Sequence, residues 1–258
     1  MKSLRKTKIT SKKKKLLRKK PAVHKKIILK LSGEMLGSKG RLFDPSAIGY
    51  IVDQITAARA TGTKIGVVIG AGNIVRGRDT EWLDAVDADL CGMMGTVING
   101  IVLSSHLRVK GIASRLVSGM EINSVVARSN KFRDNEFFDA GDILIFVGGT
   151  GNPLFTTDTA AALRAVEYEA DIIIKATKVE GVFSEDPMTN KRAKFYARLT
   201  YDQAIEQHLS IMDTAAFAIC REARIPICVY DFKKYALRDI VMGKPIGTLI
   251  TQGGTRDR

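Results

Sequence analysis

Cysteine is scarce in this sequence, and the few that occur are not arranged to do anything together. Cys91, Cys220 and Cys228 form no CxxC pair, and His24, His106 and His208 stand apart from them and from one another. A zinc site and a disulfide framework are therefore not expected, no metal-ligating residues are assigned, and a reduced cytoplasm is the expected setting. No apolar run is expected to reach the ~20 residues that span a bilayer. The start of the chain is positively charged but lacks the apolar stretch of a secretory signal, so no membrane contact is expected. Three familiar catalytic signatures are also missing: GxxxxGK[ST], GxSxG and HExxH do not occur. Their absence argues against a P-loop nucleotide enzyme, a nucleophile-elbow hydrolase and a zincin.

Acidic residues are wholly missing from residues 1–26, which hold 13 Lys or Arg; the rest of the chain has 28 basic and 27 acidic residues. The formal charge of +14 thus belongs to a tail, and the remainder is nearly neutral. A run such as Lys12-Lys13-Lys14-Lys15 repels itself and has nothing to bury. Residues 1–24 are expected to be a disordered basic tail, and 25–252 one folded domain. The tail has the charge for counterion-release binding to nucleic acid, but no aromatic residue to stack on bases. At most it supports weak, sequence-independent nucleic-acid binding.

What is present is a chain of short β-branched runs alternating with helical patterns. Lys26–Ser32 reads as a strand, and Asp44-Pro45 as an N-cap with proline at the first helical position. Ile48, Ile51, Val52 and Ile55 then recur at helical spacing as far as Thr61-Gly62. Further strands are predicted at 64–69, 112–117, 142–147, 171–175, 226–230 and 248–251, and helices at 89–109, 158–169 and 213–223. Continuously apolar strands between helices predict an α/β fold, a mostly parallel sheet covered on both faces. Ligands of such sheets lie beyond the carboxyl ends of the strands.

Four strand ends carry the relevant chemistry. Lys30-Leu31-Ser32-Gly33 offers a point charge and backbone donors to an anion, or is simply a strand lysine before a turn. Gly70-Ala71-Gly72-Asn73, with Arg76 beyond, reads equally as a phosphate loop or a tight strand-to-helix turn. Gly148 to Asp158, with three glycines and three threonines ahead of a helix, is richer in donors than a turn requires. Asp158 itself falls where a capping residue would sit. Lys175 ends an apolar strand, where a charge is costly unless an anion answers it, or is equally a lysine on a sheet edge. Anion sites on several strand ends, with lysines on two of them, suit phosphoryl transfer.

These segments resemble the amino-acid-kinase superfamily, and within it the bacterial uridylate kinases, from about residue 25 to 251. The most specific part is Thr150-Gly151-Asn152-Pro153-Leu154-Phe155-Thr156-Thr157-Asp158. Lys30 to Glu34, Lys175 to Val179, Asp186-Pro187, Met212-Asp213 and Gly247 to Ile250 support it. The resemblance implies the three-layer αβα sandwich of carbamate-kinase-like folds, and transfer of the γ-phosphate of ATP to UMP in pyrimidine nucleotide biosynthesis. It implies Lys30, Asp158 and Lys175 as catalytic residues. For ATP it implies Lys30, Leu31, Ser32, Gly33, Gly72, Arg76, Thr177, Phe183 and Asp186. For UMP it implies Ala71, Asp89, Thr150, Gly151, Asn152, Pro153, Leu154, Phe155, Thr156 and Thr157. Mg²⁺ would arrive with ATP, and the enzyme would be a homohexamer activated by GTP and inhibited by UTP. Three departures stand out. Ala71 interrupts what relatives have as three glycines. The stretch between Arg76 and Asp89 is shorter than theirs by about two residues, which bears on the register of Asp89. Gly37 to Leu42 matches poorly the loop to which relatives owe part of their GTP response. The alternatives are a family member acting on acetylglutamate, aspartate, glutamate or carbamate, or a nucleic-acid-binding protein acting through its tail.

Overall fold

The computed structural model describes residues 22–75, 82–209 and 211–253. The disorder expected of residues 1–21, and the ATP role expected of Arg76, lie outside the described residues. Residues 22–24, grouped with the tail on charge alone, belong with the domain instead. Val23 and His24 both donate backbone N–H groups to Val241 O, and Thr63 Oγ1 donates to His24 O.

Strand β1 (Lys26–Leu31) passes through a 3-10 turn at Gly33–Leu36 into α1 (Pro45–Arg59). Asp44 caps α1 by accepting from Ser46 N and Ala47 N, with Pro45 at the first turn where no N–H is needed. Then follow β2 (Lys64–Ile69), α2 (Ala85–Val109), β3 (Ser114–Ser118), α3 (Lys131–Asp139), β4 (Ile143–Val147), α4 (Thr157–Glu167) and β5 (Ile172–Thr177). The hairpin β6 (Val182–Phe183) with β7 (Phe195–Tyr196) leads to β8 (Arg198–Thr200), α5 (Tyr201–Glu206) and α6 (Thr214–Ala223). The chain closes with β9 (Ile227–Asp231), α7 (Leu237–Val241) and β10 (Thr248–Thr251).

Among the described residues, eight strands form one sheet in the order β3-β4-β2-β1-β5-β9-β10-β8. Every pairing in it is parallel except β9 with β10. Side chains alternate across a strand, so each strand feeds two cores. Ile27, Leu29 and Leu31 pack with α1, α2 and α7, while Ile28 packs with α3, α4, α5 and α6. The expected αβα sandwich is what the chain forms, and each fully buried aliphatic side chain contributes about 1.5–3 kcal/mol. Ala160, Ala161, Ala162 and Ala165 let α4 lie close to the sheet beside β1. That closeness positions the site.

Several elements differ from expectation. α2 begins four residues before 89 because Asp84 caps it, accepting from Val86 N and Asp87 N. By length and composition alone it is apolar enough to cross a membrane, which corrects the expectation that no apolar run reaches that length. Its Met93, Val97, Leu103 and Leu107 are buried in the domain, so one face is committed to packing there. The charged α3, the short α5 and α7, and β6 to β8 were not predicted. They lack either the length or the apolar periodicity that signals an element.

Candidate active site

Parallel pairing brings Lys30 of β1 directly opposite Lys175 of β5. The residues preceding them, Leu29 and Ile174, face the α1 layer, so both lysines face α4. There the carboxylate of Asp158 lies between them. Lys30 Nζ is 2.7 Å from Oδ1, and Lys175 Nζ donates to Oδ2 at 2.7 Å. The Lys30 contact is an ion pair without hydrogen-bond geometry, and Asp158 Oδ1 is buried with no hydrogen-bond partner. Lys175 also donates to Ile211 O, which leaves Lys30 the less committed of the two amines. Burial holds the Lys175 ammonium below its usual range; Asp158 pulls it back up, and Lys30 pushes it down further.

The capping role open to Asp158 belongs to Thr156. Thr156 Oγ1 accepts from Asp158 N at 3.0 Å, which frees the Asp158 carboxylate for the lysines. A residue without a named role in the site, Asp213, fixes this turn from outside. It accepts from Thr156 Oγ1, from Thr159 Oγ1 and N, and from Ala216 N as the cap of α6. Burial alone would raise the Asp213 carboxyl, but these donors outweigh it and hold it below the usual range.

Three strand ends meet beside this centre. A Cβ on Gly33 would lie 2.5 Å from Gly70 O and 2.5 Å from Asn73 Oδ1, so only glycine fits. A Cβ on Gly70 would lie 3.3 Å from Gly33 N and 3.5 Å from Thr157 Oγ1. The Ser32-Gly33 turn, the 70–73 turn and the threonine turn therefore converge. Ala71 is accommodated because Gly95 of α2 faces it: a Cβ on Gly95 would come within 2.8 Å of the Ala71 methyl. Gly148, Gly149 and Gly151 all have positive φ, and Gly119 packs against Gly149 O and Gly151 N.

In the rest of the threonine-rich segment, Thr150 Oγ1 closes a local turn with Asn152, while Leu154 and Phe155 project into solvent. Leu154 N donates to Asp89 Oδ2 at 2.7 Å, so Asp89 is beside the segment it was expected to serve. Of the expected ATP residues, Lys30 to Gly33 and Gly72 are at the convergence, and Thr177 closes β5 two residues after Lys175. Thr177 Oγ1 is engaged with Val179 O and Tyr230 O. Phe183 stacks edge-on with Phe195 in the hairpin, and Asp186 accepts from Met188 N; among the described contacts neither touches the Lys30–Asp158–Lys175 centre. Residues that sequence reasoning left without a role in the site are Asp213, Thr159, Gly119, Thr96 and Asn99. The last two had a signal: polar side chains inside an apolar helix.

The sequence pattern of the Amino acid kinase family matches residues 25–231. A protein named uridylate kinase from Methylococcus capsulatus is 43% identical over 235 residues, 90% of this chain and 98% of the relative. One of the same name from Fervidobacterium nodosum is 44% identical over 230 residues, 88% of this chain and 98% of the relative. The crystal structure of UMP kinase from Bacillus anthracis superposes with a TM-score of 0.87 at 35% identity, covering 91% of this chain and 98% of that one. That of UMP kinase from Ureaplasma parvum gives a TM-score of 0.82 at 31% identity, covering 88% of this chain and 98% of that one.

Proposed function

The chain belongs to the amino acid kinase family and to its uridylate kinase group, and from that premise we infer that it transfers the γ-phosphate of ATP to UMP, giving ADP and UDP. The observation that carries this reading is the lysine pair set in register across Asp158, one residue beyond Thr156-Thr157. The attacking atom is a phosphate oxygen of UMP, already an anion at neutral pH, so no general base is required. As it bonds to the γ-phosphorus, the bond to the bridging oxygen of ADP breaks. Repulsion between the two phosphate groups is the main obstacle, and fixed positive charge reduces it. Lys30, the less committed amine, neutralises the transferred group. Lys175 adds its field and, with Lys30, holds Asp158 in place. The N-terminus of α4 adds the positive end of its dipole at Asp158, while Asp158 N and Thr159 N are taken up by Thr156 and Asp213.

Mg²⁺ enters with ATP as part of the substrate. The carboxylate nearest the centre has a lysine against each of its oxygens, which suits it to orient amines rather than to hold a metal. The cytoplasm, which holds both nucleotides, is the site of action. A coupled ADP-release assay over a panel of acceptors, with and without GTP, tests the reading. Turnover with UMP alone is the expected result. Turnover only with acetylglutamate, aspartate, glutamate or carbamate would overturn it.

The enzyme is also a homohexamer, with GTP as activator and UTP as inhibitor. Self-association is supported by α2, whose outer face exposes Val86, Leu90, Met94, Ile98 and Ile101. Spaced three or four apart, they form an apolar stripe about 22 Å long, an energetically poor surface to leave in water. An Ile98→Glu substitution is expected to weaken assembly at least about tenfold, since a buried carboxylate without a partner is disfavoured. Sedimentation at a series of concentrations measures this, and an unchanged mass would remove α2 from the interface. For an effector, support comes from a cleft of about 980 Å³ beside Gly37 to Leu42. Lys39, Arg41 and Lys233 supply positive charge there, Lys178 is paired with Glu34 of the same lining, and Tyr50 and Phe232 form an aromatic wall.

A further inference from the structure

α2 does more than fill the space beside the sheet. Glycines on its inner face bring it against the strand ends: a Cβ on Gly95 would lie 2.8 Å from the Ala71 methyl, and one on Gly100 would lie 2.4 Å from Val147 Cγ1. Between and beside these glycines are two polar side chains, Thr96 at 2% exposure and Asn99 at 0%. Each is used on the backbone of a different glycine turn.

Thr96 Oγ1 donates to Met93 O at 2.6 Å and accepts from Gly148 N at 2.7 Å. Gly148 opens the threonine-rich segment, has a φ of +68°, and accepts from Gly151 N through its carbonyl. Asn99 Nδ2 donates to Gly70 O at 2.7 Å and to Asn73 Oδ1 at 2.8 Å. Asn73 Nδ2 returns the bond to Asn99 Oδ1 at 3.1 Å and also reaches Leu42 O. The paired amides back directly onto Gly33, where a Cβ would lie 2.9 Å from Asn99 Nδ2.

We propose that Thr96 and Asn99 are positioning residues for phosphoryl transfer: from one rigid helix, Thr96 fixes the turn that receives UMP, and Asn99 fixes the turn shared by the two phosphate groups. The proposal rests on the assignment of UMP as acceptor. Its physical basis is that these turns are glycine-rich, and glycine confers no conformational preference of its own. Their geometry is imposed by buried partners that water cannot replace. A displacement of about 1 Å at such a turn is enough to reduce rates about 10²-fold.

Steady-state kinetics of Thr96→Val, Thr96→Ser and Asn99→Asp test this. Valine keeps the volume of threonine but cannot accept from Gly148 N. The expected result is a KM for UMP raised about tenfold, the equivalent of one lost buried hydrogen bond, with the KM for ATP within about twofold. Serine at 96 restores the wild-type value. Asn99→Asp sets a carboxylate against Gly70 O and lowers kcat by about tenfold or more with either substrate saturating.

An unchanged KM for UMP in Thr96→Val overturns the proposal. So does a parallel rise in both KM values that serine fails to reverse, because that is what general loosening of the fold would give. Should Thr96→Val not fold, hydrogen exchange of Thr96→Ala decides the same point. Faster exchange confined to residues 148–157 supports the proposal, and faster exchange throughout overturns it. If the wild-type enzyme prefers another acceptor, the assignment of UMP fails instead, and the comparison repeated with that acceptor still decides the role of Thr96.

Discussion

Lys30→Ala is expected to lower turnover with UMP by about 10²–10³-fold, the range for losing one donor that acts mainly in the transition state. The fold predicts that this loss comes with little unfolding. Removing the Lys30 amine leaves Asp158 still bonded to Lys175, so no buried carboxylate is stranded without a cation. The Lys30 amine is ion-paired with Asp158 but not hydrogen-bonded to it. Turnover number and thermal midpoint measured on the same preparation separate the two effects. A turnover number within a few-fold of wild type would remove Lys30 from the chemistry. A midpoint fall large enough to account for the lost activity would make Lys30 a structural residue.

Much of this site is legible in the sequence because it is local. Lys30-Leu31-Ser32-Gly33, Gly70 to Asn73 and Thr150 to Asp158 are contiguous segments at strand ends, and a doubly covered parallel sheet collects such ends on one edge. What could not be read is whatever depends on register or on a helix seen from inside. That Lys30 stands opposite Lys175 is a property of β1–β5 pairing, 145 residues apart in the chain. The capping of α4 by Thr156 rather than Asp158 required a residue from elsewhere: Asp213 engages the Thr156 hydroxyl and defines where the helix starts. α2 was ambiguous because both of its faces are apolar, one against the sheet and one outward, which erases the periodicity that separates core from surface. The two polar residues on its inner face were the remaining clue.

Asp158→Asn should have the more complex outcome, because it removes the one carboxylate between two amines. Turnover is expected to fall by roughly 10²–10³-fold, since Lys30 loses the anion that orients it. Stability falls as well, by up to about 3–5 kcal/mol if both amines stay charged, because like charges then face each other without a counterion. The pH dependence distinguishes this from simple damage. Burial already holds Lys175 below its usual range, and Asp158 is the strongest influence in the opposite direction. With asparagine in place, the Lys175 pKa drops further, and the ammonium is lost at lower pH. The alkaline decline in activity should therefore set in earlier than in the wild type. Stability should change in the opposite sense. A lysine whose folded pKa lies below its unfolded one binds fewer protons when folded, so the variant becomes more stable as pH rises through the folded value. Activity falling while the thermal midpoint climbs, over one and the same alkaline window, is the signature expected of a lysine that has lost its carboxylate. A pH–rate profile superimposable on the wild type's would show that Asp158 does not hold these amines in their working state.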